Sequence, residues 1–310
     1  HAAVNRRVVG SSPTWGAKRD MFYDMSLFLF FTFDLWLMSL IKQGHPLGCS
    51  FLLCKHKMQL IDFYLDLLYN LIYYRICEVC SMIGIIGAMA VEVKNLIAVM
   101  ADEKVETISR VTYHIGEIEG VECVVAQSGV GKVAAAICAQ TMFLKYQPSA
   151  LINIGVAGGM GQDIHIGDIV ISRGLVQHDM DTSAIGDVKG FISGINLLTI
   201  PASERLVNLV ESTAAGFYGR GIHVGIIATG DQFIGNGDRL KQIAAEFGAI
   251  ACEMEGGSIA QVCYINHLDF VVIRAISDNA DDNASIDYAS FTASSAHKIT
   301  ALMKKLLPSI

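Results

Sequence analysis

From Met82 onward, short uninterrupted apolar runs alternate with stretches of helical periodicity, and this alternation leaves few architectures open. A brief apolar run bounded by turn signals reads as a buried strand, and helices set between successive strands define the α/β class. Ile83–Gly87, Ala150–Ile154, Asp168–Ser172, Val224–Thr229 and Asp269–Ile276 read as strands. Val91–Met100, Lys132–Tyr146, Arg239–Phe247, Ser258–Asn266 and Ser290–Leu307 read as helices, with Pro148 closing the second. Val111–Ile118 and Val121–Ser128 form a hairpin around Glu119-Gly120. There is no internal repeat, and about 230 residues suit a single domain of this class.

Residues 1–81 are of another character. They carry eight Lys/Arg against six Asp/Glu, whereas the remaining residues carry 15 against 24, so a slightly basic segment precedes an acidic body. An acidic body without a basic block excludes nucleic acid as a partner, because neutralising phosphates needs clustered Lys and Arg. The apolar stretch Ser26–Ile41 is broken by Asp34 and is shorter than the roughly 20 residues a spanning helix needs. It also lacks the small-residue cleavage pattern of a signal peptide. The segment is expected to be translated upstream sequence or a disordered or anchoring extension rather than part of the working domain, which begins at Met82; a docking helix pair is the other reading. No membrane contact is expected for residues 82–310.

The eight Cys show no metal pattern. Cys77 and Cys80 make one C-x-x-C without a second pair, while Cys123, Cys138, Cys252 and Cys263 sit in apolar runs as small hydrophobes. A reduced, cytoplasmic setting and no metal follow as expectations.

Two glycine clusters follow buried strands. Gly129-Val-Gly131-Lys132 fails as a P-loop, because Ala126 stands where the first Gly belongs and Val133 where Ser/Thr must hold magnesium. It matches the dinucleotide pattern at Gly129, Gly131 and Ala134, but the next strand ends I-N-I-G, with no acid for a ribose hydroxyl. The second cluster, Ile152–Gly161, lets backbone approach a ligand closely, and Gly158 is the expected contact.

The stretch Glu253–Asp278 carries the chemistry. Glu255 opens an apolar helical pattern, and Asp278 falls just past the end of a buried-type strand. Ligands of open α/β sheets bind at strand C-terminal ends. Two carboxylates arriving there suit a sugar substrate: one grips hydroxyls while the other protonates a leaving group. The residues alone equally allow a solvated helix-start acid, favoured by the helix dipole, and an Asp in a turn.

Taken in order, G-I-I-G-A-M-A-V-E-V, S-G-V-G-K-V-A-A-A, I-N-I-G-V-A-G-G, G-D-I-V-I-S, T-G-D-Q-F-I, C-E-M-E-G and V-V-I-R-A-I-S-D-N-A-D resemble the bacterial 5′-methylthioadenosine/S-adenosylhomocysteine nucleosidases of the purine nucleoside phosphorylase superfamily. The match spans Met82 to Ile310. It implies a three-layer α/β/α fold around a central twisted mixed sheet, a homodimer, no cofactor, and hydrolysis of an adenine–ribose bond in methionine salvage. It further implies that Asp278 protonates adenine N7 with Ser277 orienting its carboxyl. Phe233 would stack on the adenine and the Ile234 backbone would bond the purine edge. Met254 would pack against the ribose, Glu255 would take its 2′- and 3′-hydroxyls, and Glu92 would deprotonate the attacking water with Arg274 helping to place it.

The chemistry is consistent with those assignments. An ordinary Asp, with a pKa of about 3.9, is ionised at neutral pH, so Asp278 as an acid needs a dry or acid-crowded pocket. The loop after the first strand, G-A-M-A-V-E-V, offers a carboxylate and no Arg. That would repel a phosphate dianion and suits water, so hydrolysis is expected over phosphorolysis. Val156 stands where the family often has Ser, and Thr182–Leu198 departs from the usual aromatic pattern beside His178-Asp179-Met180-Asp181, leaving the 5′-substituent preference open. His178 is expected to be structural. The alternatives are an aminodeoxyfutalosine nucleosidase, a phosphate-dependent phosphorylase, and a non-catalytic nucleoside-binding module.

Overall fold

A computed structural model describes residues 82–161, 163–218, 221–278 and 284–310. The expectations for residues 1–81, including the C-x-x-C, lie outside the described residues. Ten strands form one mixed sheet: β1 (Ile83–Gly87), β2 (Ala101–Ile108), β3 (Val111–Ile118), β4 (Val121–Gln127), β5 (Ala150–Gly159), β6 (Ile169–Gln177), β7 (Thr199–Pro201), β8 (Ile222–Thr229), β9 (Ala249–Glu253) and β10 (Asp269–Asp278). Among the described residues six α-helices accompany them: α1 (Ala90–Ile97), α2 (Lys132–Tyr146), α3 (Glu204–Tyr218), α4 (Gly237–Phe247), α5 (Gly256–Ile265) and α6 (Ala284–Leu306).

The fold is mixed α/β with helices on both faces of the sheet. On one face α2 and α5 bury Ala135, Cys138, Met142, Ile259 and Cys263. On the other, α1, α3 and α6 bury Val93, Leu96, Leu206, Val210, Ile299 and Leu302. Both sides of β1 and β10 are therefore covered, which is why those strands are apolar along nearly their whole length. By contrast β2, A-D-E-K-V-E-T-I, lies at the sheet edge and is exposed almost throughout; its charges suit an edge that must not recruit another strand.

One end of the sheet closes on itself. β5 pairs in parallel with β1 and β10, β10 pairs antiparallel with β6, β6 and β8 are parallel, β8 and β9 are parallel, and β9 returns antiparallel to the end of β5. β5 can make both contacts on one edge because β1 stops pairing at Asn153, leaving Gly158 and Gly159 free for β9.

Several elements run further than the sequence pattern indicates. β10 extends to Asp278, so that residue ends the strand instead of following it, and a register shift between Ile276 and Asp278 makes Ser277 the extra residue. β6 continues to Gln177, β5 to Gly159 and α6 begins at Ala284, while α1 stops at Ile97. β2, β7, β9 and α3 carry no assignment from the sequence reading. The hairpin turn at Glu119-Gly120 forms as expected, with φ of 51° and 79°, the twist-compatible geometry of two-residue loops.

Candidate active site

The sheet registers bring the functional segments to one level before any side chain is considered. Asp278 pairs with Gly158, Gly158 pairs across its other edge with Cys252, and the next residue, Glu253, pairs with Thr229. The strand ends of β5, β8, β9 and β10 thus converge, as the rule for ligand sites in α/β sheets requires. A small cleft, open to solvent, is lined there by Gly158, Gln232, Phe233, Ile234, Leu240, Cys252, Glu253, Met254 and Asp278. Five of the residues singled out from sequence (Gly158, Phe233, Ile234, Met254 and Asp278) therefore share one pocket. Phe233 is 55% exposed at its mouth, leaving ring surface for a flat ligand, whereas Asp278 is only 3% exposed. The Ser277 hydroxyl donates to Asp278 Oδ2 at 2.8 Å, which fixes the carboxyl in the pocket.

Glu92, Glu255 and Arg274 do not line that cleft. They form a buried polar cluster joined to it through Glu253. Glu92 sits in the first turn of α1, where its Oε2 accepts from Met89 N–H at 2.9 Å and its Oε1 from Val156 N–H at 3.2 Å. Burial pushes its carboxyl above the ordinary range, against the opposing pull of the Met89 N–H and the Arg274 guanidinium. Gly155 permits this approach, because a Cβ there would lie 2.7 Å from Glu92 Oε1. Arg274 is 1% exposed on β10, and its Nη2 bonds Asn153 Oδ1 and Glu253 Oε2, each at 2.5 Å.

Glu255 is the N-cap of α5, yet its side chain caps nothing in its own helix; Oε1 instead accepts from Gly131 N–H at 2.8 Å. Burial first, and then the neighbouring Glu253 carboxylate, push its pKa up to about 7. Glu253 is the residue the sequence reading passed over. Its carboxylate accepts from the Thr229 hydroxyl, from Arg274, and from the N–H groups of Glu255 and Gly256. Its signal in the sequence is the doublet E-M-E, two acids two apart.

The glycine loop rejected as a nucleotide motif is a framework piece here. Gly131, at φ 96°, gives its N–H to Glu255, and Lys132 N–H goes to Asp231 Oδ1 at 2.7 Å. The Lys132 ammonium bonds Asp179 Oδ1 at 2.6 Å, and Asp179 Oδ2 accepts from Asp231 N–H at 2.8 Å. Although burial opposes it, this ion pair and N–H hold the Asp179 carboxyl below its usual range. His178 is fully buried, and both ring nitrogens lack a partner among the described residues. Burial depresses its pKa, disfavouring the charged ring. Val156 contributes its backbone N–H to Glu92 but no hydroxyl. The four described cysteines are free and buried, and no group of side chains among the described residues has the makings of a metal site.

Comparison with known proteins identifies the family. A sequence profile of the phosphorylase superfamily matches residues 82–308. The 5′-methylthioadenosine/S-adenosylhomocysteine nucleosidase of Shewanella loihica is 39% identical over 226 residues, covering 73% of this chain and 98% of the relative. The crystal structure of the Neisseria meningitidis enzyme of that name, in complex with methylthio-immucillin-A, superposes with a TM-score of 0.72 at 31% identity over 74% of this chain and 100% of that one. The futalosine hydrolase of Helicobacter pylori matches with a TM-score of 0.72 at 32% identity over 75% of this chain and 100% of that one. With residues 82–308 matched by the superfamily profile and 39% identity over nearly the whole of a relative, the chain belongs to the 5′-methylthioadenosine/S-adenosylhomocysteine nucleosidase family of the phosphorylase superfamily.

Proposed function

We propose that this protein hydrolyses the N-glycosidic bond of 5′-methylthioadenosine and S-adenosylhomocysteine, and of 5′-deoxyadenosine, releasing adenine and the 5′-substituted ribose. The observation that carries hydrolysis over phosphorolysis is the charge balance of the buried cluster. Glu92, Glu253 and Glu255 surround Arg274, and the guanidinium is already bonded to Glu253. A phosphate dianion entering there meets carboxylates and no uncommitted cation among them; a water molecule meets a base.

The adenine ring lies against Phe233, with its edge on the Ile234 backbone. The ribose packs on Met254, its 2′- and 3′-hydroxyls donate to Glu255, and Gly158 lets the backbone approach. As the C1′–N9 bond breaks, its electron pair moves into the purine and Asp278, oriented by Ser277, gives its proton to N7. Glu92 takes a proton from the water whose oxygen bonds to C1′, with Arg274 helping to place that water. A positioned general acid of this kind contributes about 10²–10⁴ in rate. Asp278→Asn is therefore expected to lower kcat by about that factor while largely sparing KM, and unchanged turnover would remove Asp278 from the role.

Assembly as a homodimer is supported by apolar side chains left on the surface. Val133, Ile137 and Leu144 along α2, Tyr264 and Ile265 at the end of α5, and Ile185 and Val188 beyond β6 are all exposed. No helix among the described residues is long and apolar enough to cross a membrane, and the proposed setting is the cytoplasm, in methionine salvage. The test is adenine release from 5′-methylthioadenosine in phosphate-free buffer. Turnover that appears only on adding phosphate would replace hydrolysis by phosphorolysis. The likeness to a futalosine hydrolase makes 6-amino-6-deoxyfutalosine the second substrate to assay, since the same acid and ribose clamp serve it.

A further inference from the structure

Glu253 makes more interactions than any other acid of the cluster and has no role in the reaction as written. Oε1 accepts from the Thr229 hydroxyl, while Oε2 accepts from Gly256 N–H at 2.7 Å, Glu255 N–H at 3.1 Å and Arg274 Nη2 at 2.5 Å. The Thr229 hydroxyl oxygen in turn accepts from Gly257 N–H at 2.7 Å. Between them, Glu253 and Thr229 satisfy the leading N–H groups of α5. The glycines that open that helix suit this packing: a Cβ on Gly257 would stand 2.9 Å from Thr229 Oγ1 and force a shift, and one on Gly256 would stand 3.1 Å from Glu253 Oε1, a tight contact.

A helix N-terminus ordinarily draws the N-cap side chain back onto its own first N–H groups. Glu255 occupies the N-cap and does not turn back, because those donors are already taken. We propose that Glu253 is a positioning residue: by capping α5 in place of Glu255 it frees the Glu255 carboxylate to face the ribose, and by pairing with Arg274 it fixes the guanidinium beside Glu92. The proposal rests on Glu255 serving as the ribose clamp. It also predicts an electrostatic signature. Glu255 is faced by Glu253 from β9, Arg274 from β10, Glu92 from α1, and the N-terminus of α2 through Gly131, beside which Lys132 opens α2 and Asp231, from the loop after β8, accepts from the Lys132 N–H. Removing the Glu253 charge removes a repulsion that disfavours ionised Glu255 and leaves Arg274 less neutralised, and both changes favour the carboxylate.

The experiment is steady-state kinetics of the full chain on 5′-methylthioadenosine across pH, comparing Glu253→Gln, Glu253→Asp and Glu255→Gln. Glu253→Gln is expected to raise KM about 10- to 100-fold, the worth of one charge-assisted hydrogen bond, and more than it lowers kcat. It should also move the acid limb of kcat/KM to lower pH. Glu253→Asp keeps the charge but is one methylene short of its partners, so KM rises and the acid limb stays. Unchanged KM and acid limb in Glu253→Gln, or loss of active enzyme alone at unchanged KM and limb, overturns the proposal. Unchanged KM in Glu255→Gln sinks the ribose-clamp reading instead, which keeps the two failures apart. If Glu253→Gln does not fold, Thr229→Val carries the test. It is expected to raise KM about 2- to 10-fold, as for a neutral hydrogen bond, with the acid limb unmoved, and an unchanged KM overturns the proposal.

Discussion

Glu255 is 7% exposed, faces a second carboxylate and has its pKa pushed from 4.5 up to about 7. Because the folded protein holds this proton more tightly than the unfolded chain does, the group favours folding at low pH. That contribution is fully present below pH 4.5 and is lost as pH rises through about 7, where the carboxylate must ionise in its buried place. A shift of this size corresponds to about 3 kcal/mol. Glu92 is shifted in the same direction by burial, so the two add. The ligand-free protein should therefore show a lower denaturant midpoint at pH 8 than near pH 5, beyond the acid-unfolding range (about pH 5 to 8 is where most proteins are at their best). Glu255→Gln should flatten the slope without abolishing it, the remainder belonging to Glu92. Superimposable pH profiles for the two proteins would refute the buried, protonatable Glu255. The pair Glu253 and Glu255 also shows where residue-level reading stops. Both acids are plain in E-M-E, but the strand ends at Glu253 and the helix starts at Gly256, so the three residues change direction between two elements. Which acid faces the ligand and which caps the helix depends on Thr229 and Arg274, contributed from remote strands.

At the scale of elements, His178 and Gly230 meet at the ends of β6 and β8. His178 N–H donates to Thr229 O at 2.9 Å, and Gly230 N–H to Glu253 O at 3.1 Å, so this junction anchors the loop that carries Phe233 and Ile234. A Cβ at position 230 would stand 2.3 Å from His178 Nε2. Gly230→Ala is expected to cost about 1–3 kcal/mol, the usual price of overpacking, and to raise KM by displacing the adenine loop. His178→Ala opens the space, so the double variant should be more stable than the sum of the single losses predicts. Additive losses in equilibrium denaturation would show that the contact is not what confines the loop. The elements legible in sequence were those with an unmixed pattern. β1, β3 and α2 have the expected bounds: β1 is a short apolar run, β3 stops at the Glu119-Gly120 turn, and Ala-rich α2 lies between Gly131 and the Gln147-Pro148 break. α3 went unassigned although Leu206, Val207, Val210 and Ala214 trace one buried helical face, because the polar residues between them read as loop. β9 was not, because A-I-A-C-E is short and runs directly into the next helix. The last residues of β10 were hidden for a chemical reason: Ser277 and Asp278 look like a turn, and only pairing with β5 makes them strand.

The whole molecule raises the question of how much chain the chemistry needs. Residues 82–308 match the superfamily profile, and the aligned 226 residues cover 98% of the Shewanella loihica relative, so the matched part of this chain spans nearly the whole length of that protein. Every residue given a role, from Glu92 to Asp278, lies inside it, as do the two core clusters on the faces of the sheet. The exposed apolar residues of α2 and α5 proposed as the dimer surface lie inside it as well. A chain beginning at Met82 is therefore expected to fold, to sediment as a dimer, and to release adenine with the kcat and KM of the 310-residue chain. Met82 is itself tied in, its carbonyl accepting from Ser149 N–H at 2.9 Å ahead of β5, so a start there keeps the first strand whole. Analytical ultracentrifugation and adenine release, run on both chains side by side, decide the matter. An insoluble or monomeric 82–310 beside a soluble, dimeric full chain would make the first 81 residues a working part of the protein. Equal behaviour would confine recognition, catalysis and assembly to the α/β domain, with the leader free of all three.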